Sequence, residues 1–402
     1  MSTIKRGYKY RIYPTEDQAK QIDDYMHLFR RVYNWGIAKE KEIHELHKQG
    51  LSKYGFYNEK ELYALLTIER NKPENEWLRK IPLTTGRLAL RNVINAFNRF
   101  FSGENRYPRF KSKKKYKKSK SSFNTRKDRF RIKDGCIKIE GISTDISLGF
   151  ESGLLINEND KAKTKAINPV ITKDVLGNYY ISFSLDEESK DLDAPKSKGI
   201  GIDLGIRQTF ALSTGEVFNQ PKEKLDKLER RRRRQQKHVT RDINRRLKES
   251  MRTKTKYEDI PKSKRAIKRE LKLNKTYRKI HNIKDTYYHT ITKRIVERNP
   301  KYVCMETFSV TKIEKDYKYM SKYLANTSFY DITKKMKDKC ALYGIQFIQA
   351  PREFPSTKKC NNCGSIKNMD GKHTYRCPVC GMAEDRDINA AINLMKFGSQ
   401  FI

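Results

Sequence analysis

The sequence predicts a multidomain α+β protein, and three observations predict this fold class. The chain has 402 residues, enough for two to three domains at about 150 residues each. The spacing of its apolar residues changes between the period of a strand and that of a helix, so helical and β-rich regions follow one another. Two closely spaced pairs of cysteines near the end of the sequence predict a small metal-bound module.

The first part of the chain is predicted to be one strand followed by helices. Basic and apolar side chains alternate over residues 8–13, and Thr15 then opens a helix with Gln18 at the spacing of a capping box. Pro73 and Pro82 predict breaks between further helices, which extend to about residue 101. The predicted apolar face of the first helix consists of Ile22, Tyr25, Met26, Phe29, Val32 and Tyr33.

A block of lysines with interleaved aromatic residues follows the helical region. A block of like charge does not bury itself, so a solvated loop is one interpretation. In so basic a chain we favour contact with the backbone of a nucleic acid, because lysines neutralise phosphates and aromatic rings stack on bases. The predicted phosphate contacts are Lys111, Lys113, Lys114, Lys115, Lys117 and Lys118.

Residues 129–185 are predicted to form a small β-rich domain, because short alternating runs are separated by glycines. A linker rich in Pro, Ser and Lys is predicted at residues 191–198. Residues 221–280 then read as almost uninterrupted basic helix. A solvated helical face is one interpretation, but runs this one-sided repel themselves, so we favour a helical insertion along RNA or DNA phosphates. Its densest part is Arg230, Arg231, Arg232, Arg233 and Arg234.

The charge of the whole chain predicts a polyanionic partner. It contains 88 Lys and Arg against 48 Asp and Glu, a formal net charge of +40. Nucleic acid is favoured over an anionic membrane, because no stretch approaches the about 18 consecutive apolar residues of a spanning helix. The first residues also contain no apolar signal core. We therefore expect a soluble, intracellular protein.

Asp203 stands out in a predicted strand at residues 199–206. One face of that strand is apolar, and the other consists of Gly199, Gly201, Asp203 and Gly205. An edge strand that exposes a carboxylate to water is the bland interpretation. Glycine weakens a strand and often marks the close approach of another backbone or a ligand, so we favour a functional carboxylate. The two short runs that follow, joined through Gly215, predict an antiparallel meander.

Two further acids are predicted to lie at the ends of regular elements. The apolar run at residues 302–305 ends in Glu306, which places a carboxylate at the end of a second strand. Asp387 is at the head of a short helix, where it could simply cap the helix. The predicted buried stripe of this helix is Ile388, Ala391, Ile392 and Met395.

Together, Asp203, Glu306 and Asp387 predict a site for two divalent cations. Carboxylates from two strand ends and a helix start can hold two Mg²⁺ or Mn²⁺ ions about 4 Å apart. One ion would activate water and the other would stabilise the leaving oxygen, as in a metal-dependent nuclease. Because the three acids repel one another, we expect their ionisation to be shifted and coupled.

The cysteine pairs form the strongest local pattern in the chain. Two C-x-x-C motifs, each followed by glycine, contribute Cys360, Cys363, Cys377 and Cys380. Four thiolates predict a closed, tetrahedral and therefore structural Zn²⁺ site. A redox disulfide is the alternative, but redox chemistry does not need a duplicated motif. The three remaining cysteines, Cys136, Cys304 and Cys340, lie in apolar surroundings and are interpreted as core residues.

In combination these motifs resemble the TnpB family, the RNA-guided DNA endonucleases of insertion sequences, which are related to type V CRISPR nucleases. The resemblance spans nearly the whole chain. Its segments are GYKYRIYPT from Gly7, RYPRFKSKKK, GIDLGI, the strand end at Glu306, the paired cysteine motifs and DRDINAAINL.

The resemblance implies a specific domain organisation. Residues 1–14 and 105–193 would form a wedge-like β-barrel, with a helical recognition domain inserted at residues 15–104. Residues 198–355 and 385–402 would form a RuvC-like nuclease domain of the RNase H fold, with the basic helical insertion at residues 221–285. Residues 356–384 would be a zinc ribbon that binds the target nucleic acid. The family's D-x-N-A-A spacing selects Asp387, rather than Asp385, as the third metal-binding acid beside Asp203 and Glu306.

The function that the resemblance implies is RNA-guided hydrolysis of double-stranded DNA with Mg²⁺ or Mn²⁺, giving double-strand breaks. The guide RNA would come from the transposon end, and the protein itself would read only a short adjacent motif. Such a protein would act in the prokaryotic cytoplasm, on the nucleoid, as a monomer in the ribonucleoprotein. The alternatives are a catalytically silent RNA-guided regulator and a cut-and-paste transposase.

The readers of the adjacent motif are predicted from polar and aromatic residues beside the lysine block and in one part of the helical region. These candidates are Tyr54, Tyr57, Ser122, Phe123, Asn124 and Thr125.

Overall fold

The computed structural model describes residues 3–112, 121–126, 130–133, 135–142, 144–149, 167–188, 195, 198–205, 208–307, 328–368 and 373–402. The chain divides into two compact units, residues 5–187 and residues 188–402 with residues 1–4. Most of the predicted linker lies outside the described residues. So do five of the predicted phosphate contacts, namely Lys113, Lys114, Lys115, Lys117 and Lys118.

The unit of residues 5–187 combines a strand-rich part with helices. Its helices are α1 (Glu16–Lys48), α2 (Glu59–Asn71), a 3₁₀ helix (Pro73–Lys80) and α3 (Leu83–Phe101). Its strands are β1 (Thr3–Tyr13), β2 (Ser121–Asn124), β3 (Phe130–Lys133), β4 (Cys136–Ile139), β5 (Ile146–Leu148), β6 (Ile167–Lys173) and β7 (Tyr179–Glu188).

Helix α1 begins and packs as its sequence predicts. The Thr15 side chain accepts a hydrogen bond from the Gln18 amide, and the Thr15 amide donates to Gln18 Oε1 at 2.9 Å, which completes the capping box. Of the six predicted apolar positions, five are buried. The sixth, Tyr25, is half-buried and sets its ring edge-on against Phe123 at 5.9 Å. The helical prediction is confirmed, including its breaks at Pro73 and Pro82.

The strands of this unit form a half-barrel of seven strands in the order β2-β6-β7-β1-β5-β4-β3. Its turns use glycine where the backbone becomes left-handed, at Gly135, Gly141 and Gly177, with φ values of 71°, 80° and 82°. These are glycines that separate the predicted strands. The prediction of a β-rich region is therefore confirmed.

The unit that contains residues 188–402 places helices on both sides of a sheet. Its strands are β8 (Ile200–Asp203), β9 (Phe210–Leu212), β10 (Val217–Phe218), β11 (Tyr302–Glu306), β12 (Gln346–Ala350), β13 (Thr374–Arg376) and β14 (Ala383–Asp385). Its helices are α4 (Lys222–Arg252), α5 (Lys264–Val296), α6 (Phe329–Leu342), α7 (Arg386–Gly398) and a final 3₁₀ helix (Ser399–Phe401).

Five strands of this unit form one sheet in the order β10-β9-β8-β11-β12. The β8, β9 and β10 strands are antiparallel and make the predicted meander, whereas β8, β11 and β12 run parallel. One face, which includes Ile202 and Met305, packs against α5 and α6. The opposite face, which includes Tyr302 and Cys304, packs against Leu394 of α7.

Helices α4 and α5 form an antiparallel hairpin between β10 and β11. Arg269 binds both carboxylate oxygens of Asp242 across it, at 2.9 and 3.0 Å. Helix α5 continues to Val296, beyond residue 285, where the basic insertion is predicted to end. Its last part is buried in the sheet core through residues such as Tyr288 and Ile295, so one helix belongs to both the hairpin and the core. None of the described helices is both long enough and apolar enough to span a membrane.

Glu40 is a buried acid in α1, and it predicts a pH dependence of stability. Its side chain is 1% exposed, one oxygen accepts from the Tyr57 amide at 3.1 Å, and Oε1 lacks a hydrogen-bond partner. Burial raises the pKa of Glu40 from 4.5 to about 7. Between these pH values the folded state binds the extra proton, so stability falls as pH rises, by on the order of 3 kcal/mol in total.

We expect Glu40→Gln to melt several degrees above the unchanged protein at pH 8, because glutamine does not ionise. The difference should shrink toward pH 5, where Glu40 is protonated in the folded state. Thermal unfolding across this pH range measures the effect. Glu45→Gln, on the exposed side of the same helix, is the control. Equal differences at both pH values for the Glu40 variant would contradict the prediction.

Candidate metal centres

The parallel pairing of β8 and β11 brings two of the predicted acids side by side. Val303, Cys304 and Met305 lie opposite Ile200, Gly201 and Ile202 in turn. The next pair in this register is Glu306 and Asp203, the last residues of both strands. Residues opposite each other on parallel strands point to the same face. Both carboxylates therefore belong to the face covered by α7.

Gly201 allows helix α7 to lie directly on this face. A Cβ atom at Gly201 would lie 1.9 Å from the Ala391 carbonyl oxygen and 2.4 Å from the Met395 amide nitrogen. The Tyr302 hydroxyl of the neighbouring strand donates to the Met395 carbonyl at 2.6 Å. The close approach expected of a strand glycine is thus that of the α7 backbone. This contact fixes the middle and the end of α7 on the face to which Asp203 and Glu306 belong.

The three carboxylates influence one another electrostatically. Asp203 is 8% exposed and Asp387 4% exposed. The pKa of Asp203 is raised well above its usual value, first by burial and then by the charges of Asp387 and Glu306. Burial also raises the pKa of Glu306 to about 7, against the opposing effect of the Arg352 guanidinium. The raised pKa of Asp203 agrees with the expected shift, and the coupled ionisation of the three acids stays a prediction.

The start of α7 differs from the prediction. Asp385, not Asp387, is the N-cap, and its carboxylate accepts from the amides of Asp387 and Ile388 at 2.9 and 3.3 Å. Asp387 therefore lies inside the first turn, where its Oδ1 accepts from Arg386 Nε at 3.0 Å. With capping supplied by Asp385, the bland explanation of Asp387 as a cap is wrong.

The buried face of α7 was also predicted incorrectly. Of the predicted stripe only Ala391 is buried, and Ile388, Ile392 and Met395 are half-buried. The helix buries polar side chains instead, among them Asn389 and Asn393. Apolar periodicity could not locate this face, because it packs against backbone groups of another segment. The detectable signal is two asparagines four residues apart inside a helix, where asparagine has low propensity.

Asn389 and Asn393 connect α7 to the loop of the first cysteine pair. Asn389 donates to the Lys359 carbonyl at 2.9 Å and accepts from the Asn361 amide at 3.0 Å. Asn393 donates to the carbonyls of Ser356 and Lys359, at 2.9 and 2.6 Å. Both side chains are inaccessible to solvent, with 0% and 2% exposure, so these bonds satisfy groups that water cannot reach.

The four cysteines of the C-x-x-C motifs converge, with their sulfur atoms all within 4.8 Å of one another. Sγ of Cys360 is 3.7 Å from that of Cys380, and Sγ of Cys363 is 3.5 Å from that of Cys377. A tetrahedral ion with Zn–S bonds of about 2.3 Å separates its sulfurs by about 3.8 Å, so the cluster fits a zinc ion.

The surroundings of the sulfurs also suit a metal site. Gly364 and Gly381, which follow the two motifs, have φ values of 78° and 70°, so the predicted glycine turns are confirmed. Sequence reasoning missed Ser365, whose hydroxyl lies 3.2 Å from Cys363 Sγ and 3.1 Å from Cys377 Sγ. This hydrogen bond is the main reason that the pKa of Cys377 falls to about 5, which favours the thiolate that binds metal.

The carboxylates are arranged more loosely than the cysteines. In the described part of the chain, the cysteine cluster alone brings three or more ligand atoms within 4.8 Å of one another. The carboxylate set fits hard cations through its chemistry, because oxygen ligands suit Mg²⁺ and Mn²⁺. Burial raises the pKa of both Asp203 and Glu306, and the charges of the other two acids raise that of Asp203 further.

The predicted nucleic-acid contacts divide into accessible and occupied side chains. Arg230, Arg231, Arg233 and Arg234 are exposed on α4. Arg232 is turned into the hairpin, where it binds Glu229 at 2.7 Å and the Tyr277 hydroxyl at 3.2 Å. The periodicity of a helix explains this difference, since five consecutive residues cannot share one face.

Lys111 is held in place by α1. Its carbonyl accepts from Arg30 and Asn34 at 2.9 and 3.1 Å, and its Nζ lies 3.8 Å from the centre of the Tyr33 ring. Burial lowers its pKa. These contacts argue against a free phosphate-binding role for Lys111.

The predicted motif readers also divide into accessible and buried side chains. Tyr54 is exposed, and Tyr57, Ser122 and Asn124 are half-buried. Phe123 and Thr125 are buried, and the Phe123 ring is part of the hydrophobic core of its unit. Core packing therefore argues against base contacts by Phe123, because its ring is not accessible in the folded unit.

Comparison with known proteins identifies two matching family models. Residues 329–394 match the model described as "Cas12f1-like, TNB domain", a range that includes all four clustered cysteines and Asp387. Residues 1–49 match an IS605 OrfB model described as "Helix-turn-helix domain". The described part of that range forms strand β1 and the single helix α1.

Related proteins extend the similarity to the whole chain. A protein of Streptomyces pristinaespiralis named "Putative RNA-guided DNA endonuclease" is 27% identical over 99% of this chain and 90% of its own length. "TnpB-like protein L79" of Acanthamoeba polyphaga mimivirus is 33% identical over 36% of this chain and 31% of its own length.

A solved structure of a Cas12f1-sgRNA-target DNA complex has a similar fold. It covers 98% of this chain and 99% of its own, with a TM-score of 0.55 and 12% identity. Taken with the matched family models and relatives, these comparisons confirm the resemblance to the TnpB family.

The contact between Gly201 and α7 generates a prediction about stability. We expect Gly201→Ala to lower the stability of its unit by about 2 kcal/mol, because the added methyl group must displace helix backbone rather than a flexible side chain. Thermal unfolding measures this change. Gly7→Ala is the matched control, because a Cβ there meets nothing within 4 Å. A Gly201 variant as stable as the control would contradict the close contact.

Proposed function

Because the chain resembles the TnpB family over nearly its whole length, we propose that it is an RNA-guided DNA endonuclease encoded by an insertion sequence. It uses a guide RNA from the transposon end and a short adjacent motif to find double-stranded DNA. It then hydrolyses phosphodiester bonds in both strands. Relatives with this printed activity align over almost the entire chain, which supports the assignment.

The observation that carries the proposal is the position of the three acids. Asp203 and Glu306 end neighbouring parallel strands, and α7 brings Asp387 close enough to raise the pKa of Asp203. We propose that these carboxylates hold two Mg²⁺ or Mn²⁺ ions. Such ions would supply an activated water and stabilise the leaving oxygen.

The residues around the site contribute orientation and charge. Asp385 caps α7 and so fixes the helix turn that carries Asp387, while Arg386 orients the Asp387 carboxylate through its hydrogen bond. Burial raises the pKa of Asp203 and of Glu306, so each holds a proton more readily than an exposed carboxylate does. A divalent cation that replaced these protons would be bound strongly, since removal from water strengthens electrostatic interactions. Cation binding would also neutralise the repulsion between these acids and a DNA phosphate.

The domain organisation is part of the proposal. We assign residues 198–355 and 385–402 to a RuvC-like nuclease domain, which the mixed sheet of two antiparallel and two parallel pairings supports. Residues 356–384 would be a zinc ribbon held by Cys360, Cys363, Cys377 and Cys380. Residues 1–14 and 105–193 would form the wedge, supported by the half-barrel, and residues 15–104 the helical recognition domain.

The proposed nucleic-acid contacts follow the exposed basic groups. The four exposed arginines of the 230–234 run lie on the solvent side of the α4–α5 hairpin and would bind phosphates of the guide RNA or the target DNA. Tyr54, Tyr57, Ser122 and Asn124 remain the candidates for reading the adjacent motif. We propose a monomer bound to its RNA in the prokaryotic cytoplasm.

Cleavage of a plasmid tests the function. The chain is purified with the RNA that it retains, the RNA is sequenced, and a plasmid library is built with the matching target beside a randomised flank. Mg²⁺-dependent linear product from a subset of flanks is expected. Guide-dependent binding without cutting would replace the enzyme with a silent regulator. Strand joining of transposon ends would indicate a transposase instead.

Substitution of the carboxylates tests the proposed metal site. We expect Asp203→Asn, Glu306→Gln and Asp387→Asn each to lower the cleavage rate more than about 100-fold, because each removes a ligand of a catalytic metal. RNA binding should be retained. Asp338→Asn, which changes an exposed acid on α6, is the control.

Asp385 separates the two candidates for the third ligand. Asparagine is also a good N-cap, so Asp385→Asn should keep most of the activity, whereas Asp387→Asn should abolish it. Cleavage rates of both variants under the same conditions measure the difference. The reverse result would assign the metal to Asp385.

Zinc content tests the role of the four clustered cysteines. We expect one zinc ion per chain, and we expect Cys377→Ser to lose it and to lower the melting temperature, because a zinc ion bound by four thiolates stabilises the fold of its module. Metal analysis after dialysis measures the content. Cys136→Ser, which changes a cysteine outside the cluster, should retain the zinc. Full zinc content in the Cys377 variant would contradict the assignment.

A further inference from the structure

We infer that the zinc module positions the catalytic carboxylate, and that Asn389 and Asn393 are the positioning residues through which it acts. This inference rests on the proposed function and deepens it. It goes beyond a module that binds nucleic acid, because it assigns the cysteine cluster a second role inside the nuclease centre.

The first step is the position of α7 between two supports. On one side its backbone touches Gly201 of β8, and the Tyr302 hydroxyl donates to the carbonyl of Met395. These contacts involve the middle and the end of the helix. The first turn, which carries Asp387, precedes the residues that make these contacts.

The second step is the set of hydrogen bonds on the other side. Asn389 follows Asp387 by two residues, and its amide group both donates to Lys359 and accepts from Asn361. Asn393, one turn later, donates to Ser356 and Lys359. At the helix start, the Arg386 amide donates to the His373 carbonyl at 2.8 Å.

The third step concerns what these partners belong to. Lys359 and Asn361 flank Cys360, and His373 precedes the strand that leads into Cys377. The first C-x-x-C motif forms a turn, in which the Gly364 amide donates to the Cys360 carbonyl at 3.0 Å. A bound zinc ion would fix this turn. The hydrogen bonds of the two asparagines would then hold α7 in a fixed position against this turn.

The choice of residue type supports a connecting role. Asparagine has low helix propensity, and burying its amide is costly unless every polar atom is paired. Alanine at both positions would give a better helix. The sequence instead keeps two buried asparagines whose only described partners are backbone groups beside the zinc ligands.

Manganese binding tests the inference without relying on cleavage. Mn²⁺ affinity of the full chain, purified free of nucleic acid, is measured by electron paramagnetic resonance. Binding that Asp387→Ala removes is taken as the carboxylate site. We expect Asn389→Ala and the double variant with Asn393→Ala to weaken it about 10-fold, as substitutions behind a metal ligand typically do. Zinc content and a cooperative melt should remain.

A control separates positioning from general weakening of the helix. Ile392→Ala removes a half-buried apolar side chain from α7 and leaves the asparagines intact. Its Mn²⁺ affinity should stay within about 2-fold of the unchanged protein. An equal loss in this variant would overturn the inference, since any loosening of α7 would then suffice.

A double-variant cycle tests the route. Cys363→Ser, which removes one zinc ligand, should weaken Mn²⁺ binding about 10-fold in the unchanged background but hardly at all when both asparagines are alanine. Equal loss in both backgrounds would overturn the route through the asparagines. Unchanged Mn²⁺ affinity in the asparagine variants would overturn the inference and leave the nuclease intact. If the unchanged protein shows no Asp387-dependent binding, the proposed function fails and the inference with it.

Discussion

The contact between the α7 backbone and Gly201 is the constraint on which the carboxylate site depends. A side chain at residue 201 would overlap the Ala391 carbonyl, so glycine permits the separation between strand and helix seen here. At that separation the first turn of α7 reaches the carboxyl ends of β8 and β11. Acids that are far apart in sequence then share one electrostatic environment, as the effect of Asp387 and Glu306 on Asp203 shows.

A cluster of three acids is unusual in a chain of net charge +40. The overall charge attracts a polyanion, whereas the carboxylate site would repel the phosphates of the same polyanion. The nearest described cations do not cancel that repulsion, because Arg386 is bound to Asp387 and Arg352 only moderates the pKa of Glu306. The divalent cations proposed for this site would resolve the conflict between attraction by the surface and repulsion by the site. The electrostatics therefore support the proposed metal dependence as well as the chemistry does.

Local sequence patterns predicted the elements but not all of the contacts between them. The capping box at Thr15, the glycine turns and the strand that ends in Glu306 are encoded by neighbouring residues, so their positions could be predicted. The strand that carries Asp203 was also predicted, but its predicted end at residue 206 is wrong, because the strand ends at Asp203. The buried face of α7 could not be predicted, because its asparagines pair with backbone groups that only the folded chain brings near. The strand glycines predicted the close approach of another backbone or a ligand at Gly201. The sequence did not show that the approaching backbone is that of α7.

Basic residues show the same limit. Consecutive arginines and lysines look equivalent in sequence, and tertiary contacts make them different. Arg232 is paired within the hairpin and Lys111 is pinned beside Tyr33, whereas Arg230 and Arg234 stay exposed. Charge composition therefore predicted the class of partner, while the individual contacts required the fold.

Helix α5 is continuous from the hairpin tip to the sheet core, so the hairpin is rigidly connected to that core. Because the helix is continuous, its distal part cannot move independently of the part that is packed in the core. In the proposed complex, a force that bound nucleic acid exerts on the distal part would be transmitted along the helix axis to Ile295 and the layer beneath β11. A shorter hairpin keeps the same side chains on its inner face only if equal numbers of whole helical turns are removed from α4 and α5. Such deletions would shorten the hairpin and leave the packing of the last part of α5 in the sheet core unchanged.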